Sequence, residues 1–146
     1  MKILIAVDFS QASSAIFSAA EKYAGLLSAD CRLIHVAAPD PYFVGYEPGP
    51  QSVRDTVARR FRREHKSLQD QAEKMRKNGL NVTPLLVQGP SAETILREAD
   101  SLKVDLIIIG SHGHGAVYHL LLGSVSQEVL KNAKCPVLII PTHDRN

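Results

Sequence analysis

The stretch IIIGSHGHGAVYHLLLGS, Ile107 to Ser124, decides the fold. Three consecutive isoleucines with no polar interruption predict a strand buried on both faces, the habit of a parallel sheet. The run stops at Gly110 and enters a loop where glycine alternates with histidine. Gly123-Ser124 closes that loop, and Val125, Val129, Leu130 and Ala133 then recur at helical spacing. Ser124 and Gln127 make the S-x-x-Q pattern of a capping box.

Strands alternate with helices on either side of this unit. Ile3 to Val7 is an unbroken apolar run, and Ser10 offers a hydroxyl to cap a helix over Gln11 to Ser28. The inward face of that helix is Ala12, Ile16, Ala19, Ala20, Tyr23 and Leu27. Cys31 to Ala37 reads as a second strand, and the proline-rich segment after it as a loop. Val53, Val57, Phe61, Leu68, Ala72 and Met75 trace one face of a long helix that Gly79 stops. NVTPLLVQG is a third strand; Pro84 cannot donate to a ladder, so it belongs at a sheet edge. Ser91 to Leu102 is a short helix with Ile95, Leu96, Ala99 and Leu102 facing inward. VDLIIIG is the fourth strand, and PVLIIP, between two prolines, the fifth. The pattern predicts an α/β fold of three layers: a parallel sheet covered by helices on both faces, Rossmann-like or flavodoxin-like. The edge placement of Pro84 favours strand order 3-2-1-4-5.

The chain's 146 residues suit one domain, residues 1–146, and 45% apolar content suffices for a core. A net charge of +2 argues weakly for nucleic acid. The basic run Arg54 to Lys66 has no interleaved aromatic platform, so a solvated helix face is the simpler reading and nucleic acid is not the expected partner. Cys31 and Cys135 stand at no metal-like spacing and suit a reducing compartment. No apolar run approaches membrane-spanning length, so a cytoplasmic protein is expected.

Ligands of open parallel sheets bind beyond the carboxyl ends of the strands, where the winding direction reverses. In the order 3-2-1-4-5, Asp8 and Gly110 face one crevice there. Glycine tolerates positive φ, so successive N–H groups can converge on an anion. The stretch Gly123 to Ser126 adds free N–H groups and the positive end of a helix dipole. The same glycines equally suit simple tight turns, and Ser124 a simple cap. No lysine stands in the Walker position, since Leu122 precedes Gly123. His112 and His114 form H-x-H but lack further ligands nearby in sequence for zinc. No G-x-S-x-G elbow surrounds Ser111, Ser124 or Ser126. His35, in an apolar strand, reads as a hydrogen-bonded core or rim residue. Asp8 suits either a ribose hydroxyl, a phosphate-bound Mg²⁺, or the ordering of its own turn.

Gly110-x-x-Gly113, nine further residues and then Gly123-Ser124 resemble the G-2x-G-9x-G-[ST] signature of universal stress proteins of the ATP-binding type. KILIAVDFS, LIHV, VQGPSAETI, DLIIIGSHG and CPVLIIP resemble further blocks of that family in the same order. The resemblance implies a five-stranded sheet in the order 3-2-1-4-5 with ATP, ADP or AMP at the switch point, and with it Mg²⁺ or Mn²⁺. It puts Ala6, Asp8 and Val36 on the adenosine side, the Val36 main chain at the adenine edge. Gly110, Ser111, His112, Gly113, His114, Gly115 and Ala116 would wrap ribose and phosphates; Gly123, Ser124, Val125 and Ser126 would close on the phosphates. It implies a homodimer through Val137 to Ile140, a regulatory protein partner, and at most slow hydrolysis or self-phosphorylation at Ser124 or Ser126. A departure is the spacer HGAVYHLLL, which offers histidine where many relatives carry Arg or Lys. A nucleotide-free scaffold of the same fold, and an enzyme adenylating or hydrolysing a small substrate, stand as alternatives.

Overall fold

The computed structural model describes residues 1–39, 49–114 and 122–142. Its strands are β1 (Lys2–Val7), β2 (Asp30–Ala37), β3 (Asn81–Gln88), β4 (Leu106–Gly110) and β5 (Val137–Ile140). Its helices are α1 (Ser13–Leu26), α2 (Gln51–Lys77), α3 (Ser91–Leu102) and α4 (Ser124–Asn132). The strands form one sheet in the order β3-β2-β1-β4-β5, with every pairing parallel. Pro84 lies on edge strand β3, as its missing N–H predicts.

Alternation along β1 sorts the core into two layers. Ile3, Ile5 and Val7 meet Ile16, Ala20 and Ala24 of α1 and Leu68, Ala72 and Met75 of α2. Leu4 and Ala6 meet Ala92, Ile95 and Ala99 of α3 and Val129 of α4. Each fully buried Leu or Ile contributes about 1.5–3 kcal/mol. Gly79, at φ +88°, ends α2: its N–H reaches the Arg76 carbonyl and the Leu80 N–H the Met75 carbonyl, a Schellman closure. No helix among the described residues is long and apolar enough to cross a membrane.

Several expected details differ. Ser10 does not cap α1. The N-cap is Ala12, and Ser10 contributes only its carbonyl, which accepts the Ser13 N–H at 3.0 Å. Phe9, at φ +58°, bends the chain early and delays the helix. Tyr23 and Leu27 are exposed, so the buried face of α1 is narrower than the expected stripe. The α2 stripe is deeply buried only from Leu68 onward, and Phe61 is exposed. Leu130 of α4 is also exposed. The capping box is not formed: Gly123 takes the N-cap with extended backbone, which moves Ser124 into the first helical turn.

The register sets Ile3 against Leu106 and Ala6 against Ile109, so the chain leaves β1 and β4 side by side. The sheet winds from β1 through β2 to β3 on one side and through β4 to β5 on the other. The crevice beyond the carboxyl ends of β1 and β4 is therefore where side chains from both halves converge.

Candidate functional site

A cavity of about 660 Å³ occupies this crevice. One wall is apolar: Ala6 and Val36, with Ile34, Ile95 and Ile109. The other carries Asp8, Gly110, His112, Gly113 and His114, and the start of α4 from Gly123 through Ser124 and Val125 to Ser126. Gly115, Ala116 and His119 lie outside the described residues. Residues with no site role expected from sequence also line it: Ser91 at the start of α3, His35 of β2 and Glu64 of α2.

Asp8 holds the two halves together. Its Oδ2 accepts the His114 N–H at 2.7 Å, and its Oδ1 accepts the Ser10 N–H at 3.0 Å and the Ser13 hydroxyl at 3.4 Å. Burial pushes the carboxyl pKa up, but hydrogen bonds from Ser10 and His114 outweigh it and hold the group below its usual range. His114 Nε2 lies 3.0 Å from the Asp8 carbonyl oxygen, which can only accept, so Nε2 carries the proton. His112 turns elsewhere, with Nδ1 3.1 Å from the Ser111 hydroxyl. The two histidines of H-x-H therefore do not converge on one point.

The glycines matter for close approach rather than for φ. Gly110, Gly113 and Gly123 all lack positive φ, contrary to the expected turn of the loop. A Cβ on Gly113 would overlap the Asp8 carboxylate. One on Gly110 would lie 2.8 Å from Thr142 Cγ2 and 2.9 Å from Ile16 Cδ1.

Several loop amides expected to face an anion already have acceptors within the chain. The His112 N–H goes to Thr142 Oγ1 at 3.0 Å, and the Gly123 N–H to the Ser111 carbonyl at 2.7 Å. The His114 N–H is held by Asp8. The first-turn amides of α4, from Ser124 to Ser126, have no intrahelical acceptor and lie at the positive end of its dipole. The anion-binding capacity thus concentrates on α4. Ser124 is exposed there, while Ser126 is buried and its hydroxyl donates to the Gly110 carbonyl at 2.6 Å. Ser111 does not line the cavity; it is buried, with its hydroxyl 3.1 Å from Thr142 Oγ1.

His35 is buried as a rim residue, its ring 5.1 Å from that of Phe9. Its Nδ1 lies 2.9 Å from the Val7 carbonyl oxygen and so donates to it. Its Nε2 stands 3.7 Å from Glu64 Oε2. No sequence signal marked Glu64, which sits inside a run dominated by arginine.

Comparison with known proteins gives the same fold and names the family. The universal stress protein family model matches residues 1–141. A universal stress protein of Thermus aquaticus is 37% identical over 144 residues, covering 94% of this chain and 96% of that protein. The solved structure of the hypothetical protein MJ0577 superposes with a TM-score of 0.84 at 24% identity, covering 99% of this chain and 97% of the other. Two more distant universal stress protein structures were solved as nucleotide complexes. One, with cAMP, has a TM-score of 0.68 at 21% identity, covering 98% of each chain. The other, from Archaeoglobus fulgidus with dAMP, has a TM-score of 0.65 at 20% identity, covering 96% of this chain and 97% of that one. With a family match across nearly its whole length and the sheet order read from its own residues, this chain belongs to the universal stress protein family.

Proposed function

We propose that this chain binds an adenine nucleotide, ATP or its lower phosphates, in the cavity beyond β1 and β4 and works as a nucleotide-dependent regulatory switch. One observation carries the reading: an apolar wall and an α4 N-terminus whose first-turn amides have no intrahelical acceptor share a single cavity. The base would lie against Ala6 and Val36, with the Val36 main chain at its edge. The phosphates would lie on the first-turn amides of α4 and the hydroxyl of Ser124, where the dipole favours negative charge. Gly110 and Gly113 allow the backbone to come close, and the loop through Gly115 and Ala116 would complete the wrap. The nucleotide complexes of related proteins support the ligand class.

Mg²⁺ or Mn²⁺ arriving with the phosphates would meet the Asp8 carboxylate. It would supply neutralising charge, while this chain supplies the acceptor. Asp8 would have to release the His114 amide, and that release is the switch: nucleotide exchanges a contact inside the protein for one with the ligand. Hydrolysis is at most slow. Self-phosphorylation falls on exposed Ser124 rather than buried Ser126. We further propose a homodimer through the apolar edge strand β5, which needs cover, a regulatory protein partner, and a cytoplasmic location.

The test is mass spectrometry of small molecules released on denaturation, followed by calorimetric titration with ATP, ADP and AMP. Release of an adenine nucleotide and saturable one-site binding are expected. No released nucleotide and no heat with any of the three would refute the reading.

A further inference from the structure

The solvent side of α2 carries a charge pattern that the fold does not use. From Arg54 to Lys66 stand six basic residues and two acidic ones, a surplus of four in a chain whose net charge is +2. Arg59, Arg62, Arg63 and Lys66 follow the spacing i, i+3, i+4, i+7, so they share one side of the helix, and all four are exposed. At 1.5 Å of rise per residue they span about 10 Å. Leu68, Ala72 and Met75, which hold α2 on the sheet, are buried on another side.

Other cations of α2 meet carboxylates of the same helix: Arg60 lies 3.9 Å from Glu64 and Arg76 3.6 Å from Glu73. In the stripe the i, i+4 spacing instead sets like charges together, Arg59 with Arg63 and Arg62 with Lys66, and that destabilises a helix. Arg59 reaches only the Thr56 hydroxyl, at 3.2 Å. Arg62 and Arg63 have no ion-pair or hydrogen-bond partner among the described residues. Lys66 holds Asp70 at 2.6 Å, but both side chains are well exposed, and a surface pair of this kind is weak enough to exchange.

The stripe is short and closed at both ends. Asp55, four residues before Arg59, and Asp70, four after Lys66, are exposed carboxylates on the same side. A nucleic-acid backbone running along α2 would pass from the cations onto these carboxylates. A membrane surface needs apolar side chains beside the charges. Phe61 is the one large apolar side chain of α2 exposed among the described residues, which is too few. A protein segment with an acidic centre and neutral or basic ends matches the order of charge, and the planar fork of arginine takes a carboxylate by two hydrogen bonds.

We propose that Arg59, Arg62, Arg63 and Lys66 dock an acidic segment of a partner protein, with its carboxylates set on one side over about 10 Å. This gives a chemistry to the regulatory partner proposed above; it rests on that partner and not on the nucleotide.

The experiment uses the full chain and a fluorescent, alanine-based helical peptide. The peptide bears four glutamates at the same i, i+3, i+4, i+7 spacing and a lysine at either end. A control peptide of identical composition spreads the glutamates around the helix. Anisotropy titrations in dilute salt compare wild type with the triple variant Arg59→Gln, Arg62→Gln, Arg63→Gln, in which glutamine keeps the helix propensity. Wild type should bind the first peptide about tenfold more tightly than the control. The triple variant should lose about tenfold for the first peptide, the scale of three exposed charge pairs. ATP titration should give the same affinity for wild type and variant, because none of the three arginines lines the cavity. The proposal is overturned if wild type binds neither peptide, if it binds both equally, or if the variant keeps its affinity. Tighter binding of duplex DNA or of phosphatidylserine vesicles than of the acidic peptide also overturns it, in favour of those partners. Wild type that binds the peptide as expected but no adenine nucleotide refutes the nucleotide reading and leaves the docking surface standing.

Discussion

Replacing Gly113 by alanine separates what the loop does for the fold from what it does for a ligand. Gly113 has no positive φ, so alanine meets no backbone penalty there. The whole cost comes from the new Cβ, which overlaps the Asp8 carboxylate and must push it aside. Asp8 then loses the His114 N–H at 2.7 Å, a hydrogen bond to a charged group worth about 1.5–3 kcal/mol. Taking about 2 kcal/mol, and about 2.1 cal/mol/K of unfolding entropy per residue, the melting temperature should fall by about 6 °C. The sheet should persist, because Gly113 itself is exposed and contributes no core packing. Differential scanning calorimetry reads the first effect and far-UV circular dichroism the second. ATP affinity, read by titration calorimetry, should fall about tenfold or more, since the displaced carboxylate takes the space a phosphate or metal needs. An unchanged melting temperature would refute the Asp8 contact, and a lower one with full ATP affinity would remove the loop from the site.

Three further outcomes are expected. Asp8 has a depressed pKa, so its contribution to stability is present above the ordinary carboxylate value near 3.8 and is lost as pH falls through the lower folded value; melting curves of wild type and Asp8→Asn should differ at pH 7 and converge in strong acid. Ser126→Ala removes the buried hydroxyl that donates to Gly110, and should cost about 1–3 kcal/mol in urea denaturation by leaving that carbonyl unpaired. Burial pushes the Cys31 thiol up to about 11 and the Cys135 thiol upward as well, so iodoacetamide at pH 8 should label neither quickly in the folded protein and both once it is unfolded, as peptide mass mapping will show.

The sheet was legible because its strands are apolar runs between breakers, and Pro84 marked one edge of it. Helix ends were less so. Whether Ser10 or Ala12 caps α1 depends on where the chain turns, and the left-handed Phe9 sets that without any sequence signature. Ser124 looked like a cap because its hydroxyl and Gln127 are correctly spaced, but the extended backbone of Gly123 begins the helix one residue earlier. Phe61 carries the right period on a part of α2 that the sheet does not cover. At the crevice, glycine spacing marked where backbone comes close. It did not say that the close neighbour is the Asp8 carboxylate, which comes from 105 residues earlier in the chain than Gly113. Glu64 could not be found from sequence, because only packing of α2 beside β2 brings it to His35.

Thr142 sits just past β5, yet its side chain and amide are bound to Ser111 and His112. Sheet edge and crevice loop are thus fastened at one knot. In the dimer proposed above, a partner strand seated on β5 would pull on the same residue that steadies the loop, and would thereby couple assembly at the rim to occupancy at the centre of the sheet. Cutting the chain after Pro141 would untie them while sparing every strand.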